Sequence, residues 1–263
     1  MIGQERFKNY LNSWNTPPQF IILQGEIGSG RSTLIEQIKH KYKFNCITCG
    51  TSVEEVREII NLAYHLNEPT FYIFYNGDKL STSAKNALLK IVEEPPKNAY
   101  FIMRIENNTL DTLSNRSFYY VMQPYNSLEL KNYFKEQNKE ELFDKYGFIC
   151  KNIGQIKIFL KSPYEDIINY CDIIIRMINQ VAQGNIFNIT NKLNINDTTD
   201  KWDLILFINI LEWSLSNIYK ETKQDKYFQA IYRLNNVRKD LRINGVNKQC
   251  LIDNFLLGLR DLL

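Results

Sequence analysis

A glycine-rich turn held between an apolar run and a helical pattern limits the fold of this chain more than any other feature. Phe20-Ile-Ile-Leu23 reads as a short strand, and Ser32 to Lys41 reads as a helix. Between them, Gly25-Glu-Ile-Gly-Ser-Gly-Arg-Ser-Thr33 has the spacing G-x-x-x-x-G-[K]-[ST], with Arg31 where lysine is usual. Glycines in such a turn let backbone N–H groups converge on a phosphate, and the helix N-terminus adds partial positive charge. A hydroxyl at the position of Ser32 would ligate magnesium. Gly25, Gly28, Gly30, Arg31, Ser32 and Thr33 are therefore the candidate nucleotide-binding residues. Arginine keeps the charge of lysine but is planar and bulkier, and the two do not interchange in a tight phosphate cradle. The loop is open to two readings, a site for ATP or ADP and a turn kept for its shape alone.

Strand-like and helix-like segments alternate through the first 120 residues or so. Strands are expected over 44–49, 71–75 and 100–103. A helix is expected after Ser52, with Glu55 at capping-box spacing and Val56, Ile59, Ile60 and Ala63 at helical spacing. Another runs from Ser81 to Val92 and stops at Glu93-Glu-Pro-Pro96. Such alternation implies a parallel sheet covered on both faces. After Pro124 every segment reads as helix, over 127–136, 139–146, 152–160, 165–181, 202–219, 226–242 and 249–262. Residues 184–200, rich in Asn, Thr and Asp, read as a loop, and Ser162-Pro163 as a hinge. The expected architecture is an α/β phosphate-loop domain over 1–123, a small helical domain over 124–162 and an all-α domain over 163–263.

Nucleotide hydrolysis also needs an acid at the end of a later strand, to hold magnesium and polarise water. The strand Phe71-Tyr-Ile-Phe-Tyr75 ends on Tyr75 and Asn76, and Asp78 lies beyond the ligand position. With the lysine and both acids gone, no ATPase activity within the chain itself is expected.

The charge balance, 32 Lys and Arg against 29 Asp and Glu, excludes a protein that coats DNA by bulk charge. Any nucleic-acid contact must come from a local patch, and Lys79, Lys85, Lys90 and Lys97 are candidates on or near one helix. Neither a secretory signal nor a bilayer-spanning segment is evident, so a cytoplasmic protein is expected. Five cysteines in such a chain are expected as free thiols. Cys46 and Cys49 form a C-x-x-C without a second Cys or His pair, so no zinc or other metal site is expected, and residues 44–49 read as a buried strand. His40 and His65 have no catalytic spacing, and Trp202 and Trp213 read as core or interface residues on one helix.

The most specific string is Tyr72-Ile-Phe-Tyr-Asn-Gly-Asp-Lys-Leu-Ser-Thr-Ser-Ala-Lys-Asn-Ala-Leu-Leu-Lys-Ile-Val-Glu-Glu-Pro-Pro96. It resembles a segment of the bacterial DNA polymerase III clamp-loader AAA+ family, whose usual form is an apolar strand, DEADKL, a spacer and NALLKTLEEPP. Asn86-Ala-Leu-Leu-Lys90 and Glu93-Glu-Pro-Pro96 match outright. Ile2-Gly-Gln4 is similar to the family's opening VGQ, and Thr112-Leu-Ser-Asn-Arg-Ser117 sits where the family has TI-x-SRC. Val121-Met-Gln-Pro124 resembles the entry to its lid domain, and the stretch from Asn244 to Leu259 resembles the last helix of its collar.

The resemblance implies a P-loop AAA+ domain, a helical lid and a helical collar used for oligomerisation. The altered lysine and acids, the missing four-cysteine module between His40 and Phe44, and the lack of a sensor arginine near Gly154-Gln155 resemble the catalytically degenerate delta-prime branch. That branch implies a non-catalytic subunit of a hetero-pentamer with motor and delta-like subunits, serving DNA polymerase III. The assembly would engage a sliding clamp and primer–template DNA, and Arg116 would act in trans as an arginine finger on a neighbour's ATP. The alternative is an ATP-hydrolysing motor-type subunit or another AAA+ ATPase.

Overall fold

The strand β1 (Phe20–Gln24) is apolar along most of its length because both faces of its sheet are covered. Phe20 and Ile22 enter one hydrophobic core, and Ile21 and Leu23 enter another. The structure is a computed structural model that describes residues 2–107, 109–177, 201–241 and 245–263. β1 lies in a parallel sheet with β2 (Asn45–Thr48), β3 (Thr70–Phe74), β4 (Ala99–Ile105) and β5 (Phe118–Val121). The strand order is β2-β3-β4-β1-β5, with Phe20 opposite Phe101 and Ile21 opposite Phe118.

Helices α1 (Glu5–Ser13) and α2 (Arg31–Tyr42) cover one face, where Phe7, Leu11, Leu34, Ile35 and Ile38 meet Ile21, Leu23 and Phe71. Helices α3 (Val53–His65), α4 (Thr82–Glu93) and the short α5 (Asp111–Ser114) cover the other. Val56, Leu88, Ile91 and Leu113 pack there against Tyr72 and Phe101, whose rings stack at 5.0 Å. Each such side chain contributes roughly 1.5–3 kcal/mol when fully buried. The expected capping box is present, with Ser52 and Glu55 exchanging backbone hydrogen bonds. Ser81 caps α4, and Pro95 and Pro96 prevent its continuation.

Three features differ from the sequence expectation or were not anticipated by it. β2 is no buried strand: it stands at the sheet edge with β3 as its one neighbour, and Asn45, Cys46 and Thr48 are exposed. Only Cys49, just past its end, is buried. β5 completes the sheet on the far side of β1, and α1 adds a helix before the first strand.

The chain divides into two compact units, Met1–Glu129 and Leu130–Leu263. After α6 (Ser127–Glu136) the second unit is helical: α7 (Glu140–Tyr146), α8 (Ile153–Phe159), α9 (Tyr164–Met177), α10 (Lys201–Thr222), α11 (Asp225–Asp240) and α12 (Lys248–Leu262). α10 packs on α8, α9 and α11, and Trp213 meets Tyr146 edge-on. A buried polar chain ties these helices together. Gln155 Oε1 accepts hydrogen bonds from the Lys151 amide and the Asn209 side chain, while Arg238 donates to Asn209 and to Glu212. The loop expected over 184–200, the ends of the helices expected to 181 and 242, Asn244, and the side chain of Trp202 lie outside the described residues. Among the described residues no helix is long and apolar enough to cross a membrane.

Candidate functional site

The glycine-rich loop joins β1 to α2 at the C-terminal edge of the sheet. Gly30 caps α2 at φ 99° and Gly28 lies at φ 84°, backbone that glycine adopts without strain. A Cβ on Gly25 would lie 2.6 Å from Met122 Cγ. The end of β4 is stitched to the loop, since the Gly25 amide donates to the Ile105 carbonyl at 3.1 Å. The Tyr125 hydroxyl donates to the Ser29 carbonyl at 3.0 Å and so covers the turn.

Arg31 is buried and points back into the sheet. Its Nη1 donates to the Ile105 carbonyl at 2.5 Å, and its Nη2 lies 3.6 Å from Glu106 Oε1. Burial lowers its proton affinity and the Glu106 carboxylate opposes that, leaving a cation at neutral pH. Ser32 Oγ accepts a hydrogen bond from Arg104 Nη1 at 2.7 Å, while Arg104 Nε donates to the Tyr75 carbonyl at 2.8 Å. The same guanidinium lies 5.5 Å from the centre of the Tyr75 ring. Asp78 is spent on the backbone: its two oxygens accept from the amides of Glu106 and Asn107 at 2.7 and 3.0 Å. Thr33 is exposed.

This arrangement does not fit a magnesium nucleotide. The cation at the lysine position is consumed by Ile105 and Glu106, the hydroxyl at the metal position by Arg104, and Asp78 by two amides. Tyr75 and Asn76 end β3 without a carboxylate. The geometry supports a rigid turn, and no step of phosphoryl transfer can be built on these side chains.

Residues 18–126, which include all five strands, match the family described as DNA polymerase III, delta subunit. The chain is 24% identical over 240 residues to the DNA polymerase III subunit delta' of Buchnera aphidicola subsp. Baizongia pistaciae, covering 80% of this chain and 70% of that protein. A stretch of 91 residues is 42% identical to the same subunit of Buchnera aphidicola subsp. Schizaphis graminum, covering 34% of this chain and 25% of that protein. The chain is similar to the delta-prime subunits of DNA polymerase III. A crystal structure of a DNA polymerase III gamma subunit-related protein from Thermotoga maritima shares the fold, with a TM-score of 0.56 at 16% identity over 98% of each chain.

Arg116 follows α5 and is about half exposed. Its Nη1 donates to the Thr112 carbonyl at 3.1 Å, and its Nε lies 3.2 Å from Glu93 Oε1 at the end of α4. The opening Gln4 is buried with φ 59°, and its amide pairs with the backbone of Gln123 in both directions, at 2.7 and 2.9 Å. That pairing gives the VGQ-like opening a structural role. Lys79, Lys90 and Lys97 are exposed and Lys85 is half-buried. Gln155 is buried in the polar chain of the second unit. Sequence reasoning missed Arg104, Glu106 and Glu93 as members of these constellations. The available signal for Arg104 was a lone cation inside the otherwise apolar Ala-Tyr-Phe-Ile-Met-Arg-Ile of β4.

Proposed function

We propose that this chain is the non-catalytic delta-prime-like subunit of a DNA polymerase III clamp loader, and that it presents Arg116 to ATP held by a neighbouring subunit. One contrast carries the reading. Arg31 and Ser32 of the chain's own glycine loop are engaged internally, whereas Arg116 stands half exposed with donors to spare. A guanidinium is planar, permanently charged and able to contact two phosphate oxygens, so it can stabilise charge developing on a transferred phosphoryl group. Residues 124–162 would serve as the lid and 163–263 as the collar that holds the ring. The partners in this reading are motor and delta-like subunits in a cytoplasmic hetero-pentamer, with the sliding clamp and primer–template DNA engaged through the assembly.

The test is Arg116→Ala in the reconstituted complex, measuring assembly together with clamp- and DNA-stimulated ATP hydrolysis. Normal assembly with reduced hydrolysis supports the finger, and unchanged hydrolysis overturns it. Turnover by the isolated chain that is lost on Ser32→Ala would instead favour the motor-type reading.

A further inference from the structure

Glu93 is the residue at which α4 ends. The Glu94 amide still donates to the Lys90 carbonyl, and the following prolines turn the chain away, so the Glu93 side chain leaves a fixed point. Arg116 leaves a second fixed point. Leu113, three residues earlier, is fully buried in the same core as Ile91 and Val92, and Ser117 Oγ donates to the Leu113 carbonyl at 2.6 Å. Between these anchors the carboxylate of Glu93 holds Arg116 Nε, and the Thr112 carbonyl holds one N–H of Nη1. A guanidinium has five N–H donors, and the hydrogen bond to Thr112 takes one of them while Glu93 pairs with the group by charge. Nη2 has no partner among the described residues.

We propose that Glu93 is a positioning residue for Arg116: its ion pair restrains the guanidinium so that the remaining N–H donors are held ready for an anion supplied by another chain. The proposal rests on the reading of Arg116 as acting in trans. Holding the plane of the fork in advance removes the rotamer search that a free arginine would make on docking. Both side chains are about half exposed, with 45% and 50% of their surface accessible, so the pair adds little to stability. Its effect should therefore fall on the aim of the fork and leave the fold intact.

The experiment compares Glu93→Ala, Glu93→Gln and Arg116→Ala, each in the fully reconstituted loader with clamp and primed DNA. Assembly, thermal unfolding, and kcat and KM for ATP are recorded for each. Glu93→Ala is expected to lower kcat about three-fold or more, with KM, assembly and unfolding unchanged. Glu93→Gln, which keeps an oxygen acceptor for Nε, should restore most of the rate. If Arg116→Ala is impaired and Glu93→Ala is not, the positioning role is wrong while the finger stands. A rise in kcat for Glu93→Ala would make Glu93 a restraint and overturn the proposal. If Arg116→Ala is itself silent, the finger and its positioning residue fall together.

Discussion

Arg31 closes the mouth of its own glycine loop by reaching Glu106, with guanidinium Nη2 and carboxylate Oε1 3.6 Å apart and both side chains largely buried. Its other terminal nitrogen, Nη1, donates to the Ile105 carbonyl, so the two contacts leave from separate corners of the fork. The substitution that removes a phosphate ligand thus installs a clamp between α2 and the end of β4.

Removing that clamp should cost stability. Arg31→Ala removes the cation beside the Glu106 carboxylate and one of the two donors to the Ile105 carbonyl, and is expected to lower unfolding free energy by about 2 kcal/mol in chemical denaturation. Adding Glu106→Gln to Arg31→Ala should recover part of the loss, because the uncompensated charge is then gone. Equal costs with and without that second change would refute the coupling.

Ligand binding gives a second check. Magnesium ATP at saturating concentration is expected to leave the melting temperature of the isolated chain unchanged, since a ligand stabilises only the state it binds. A magnesium-dependent rise that disappears in Ser32→Ala would show that the loop opens to nucleotide.

Gln4→Ala should destabilise the first unit by about 2 kcal/mol. It strips partners from the Gln123 amide and carbonyl and from the Tyr120 hydroxyl. The measurement is the denaturant midpoint, and a shift no larger than that of an exposed glutamine would count against the pairing.

In the second unit, burial pushes the Glu212 carboxyl upward, but the hydrogen bond and charge of Arg238, joined by Lys151, outweigh it and leave its pKa below the ordinary 4.5. A depressed folded-state pKa stabilises the fold above the unfolded value, and that contribution is lost as pH falls through the folded value. Glu212→Gln is therefore expected to be less stable than the native chain at neutral pH, with the gap closing once the pH drops below 4.5. A gap that persists in acid would assign the cost to packing.

Thiol chemistry should separate the cysteines by position. Cys46 and Cys250 are exposed, whereas Cys49, Cys150 and Cys171 are buried. Burial pushes Cys49 and Cys150 up to about 12 and Cys171 upward as well. Alkylation of the native chain is expected to modify Cys46 and Cys250 quickly, and mass spectrometry should find the other three only after unfolding.

What the sequence made legible was local. The strand, loop and helix around Gly25 to Thr33, the capping box at Ser52 and the proline stop after α4 are all written in adjacent residues. What it hid depends on strand order. Arg31 meets the Ile105 carbonyl across 74 positions, which no window of spacing can reveal. The same holds for Asp78, which sits near a metal-ligand position in the sequence but turns to cap the end of β4. β2 was misjudged as buried because an apolar run does not say whether its strand has one neighbour or two.

The place of β1 in the sheet also sets the order in which this unit can be completed. Its partners are β4 and β5, and neither is next to it in the chain: β2, α3, β3 and α4 all intervene before the first of them. On a ribosome, β1 emerges early and keeps both hydrogen-bonding edges bare until β4 has been made, and one of them until Val121. During that interval Phe20 to Leu23 is a short, uncharged apolar strand with no native partner, the kind of segment that pairs with other chains. Late closure by β4 and β5 makes the first strand of the sheet the last to be protected.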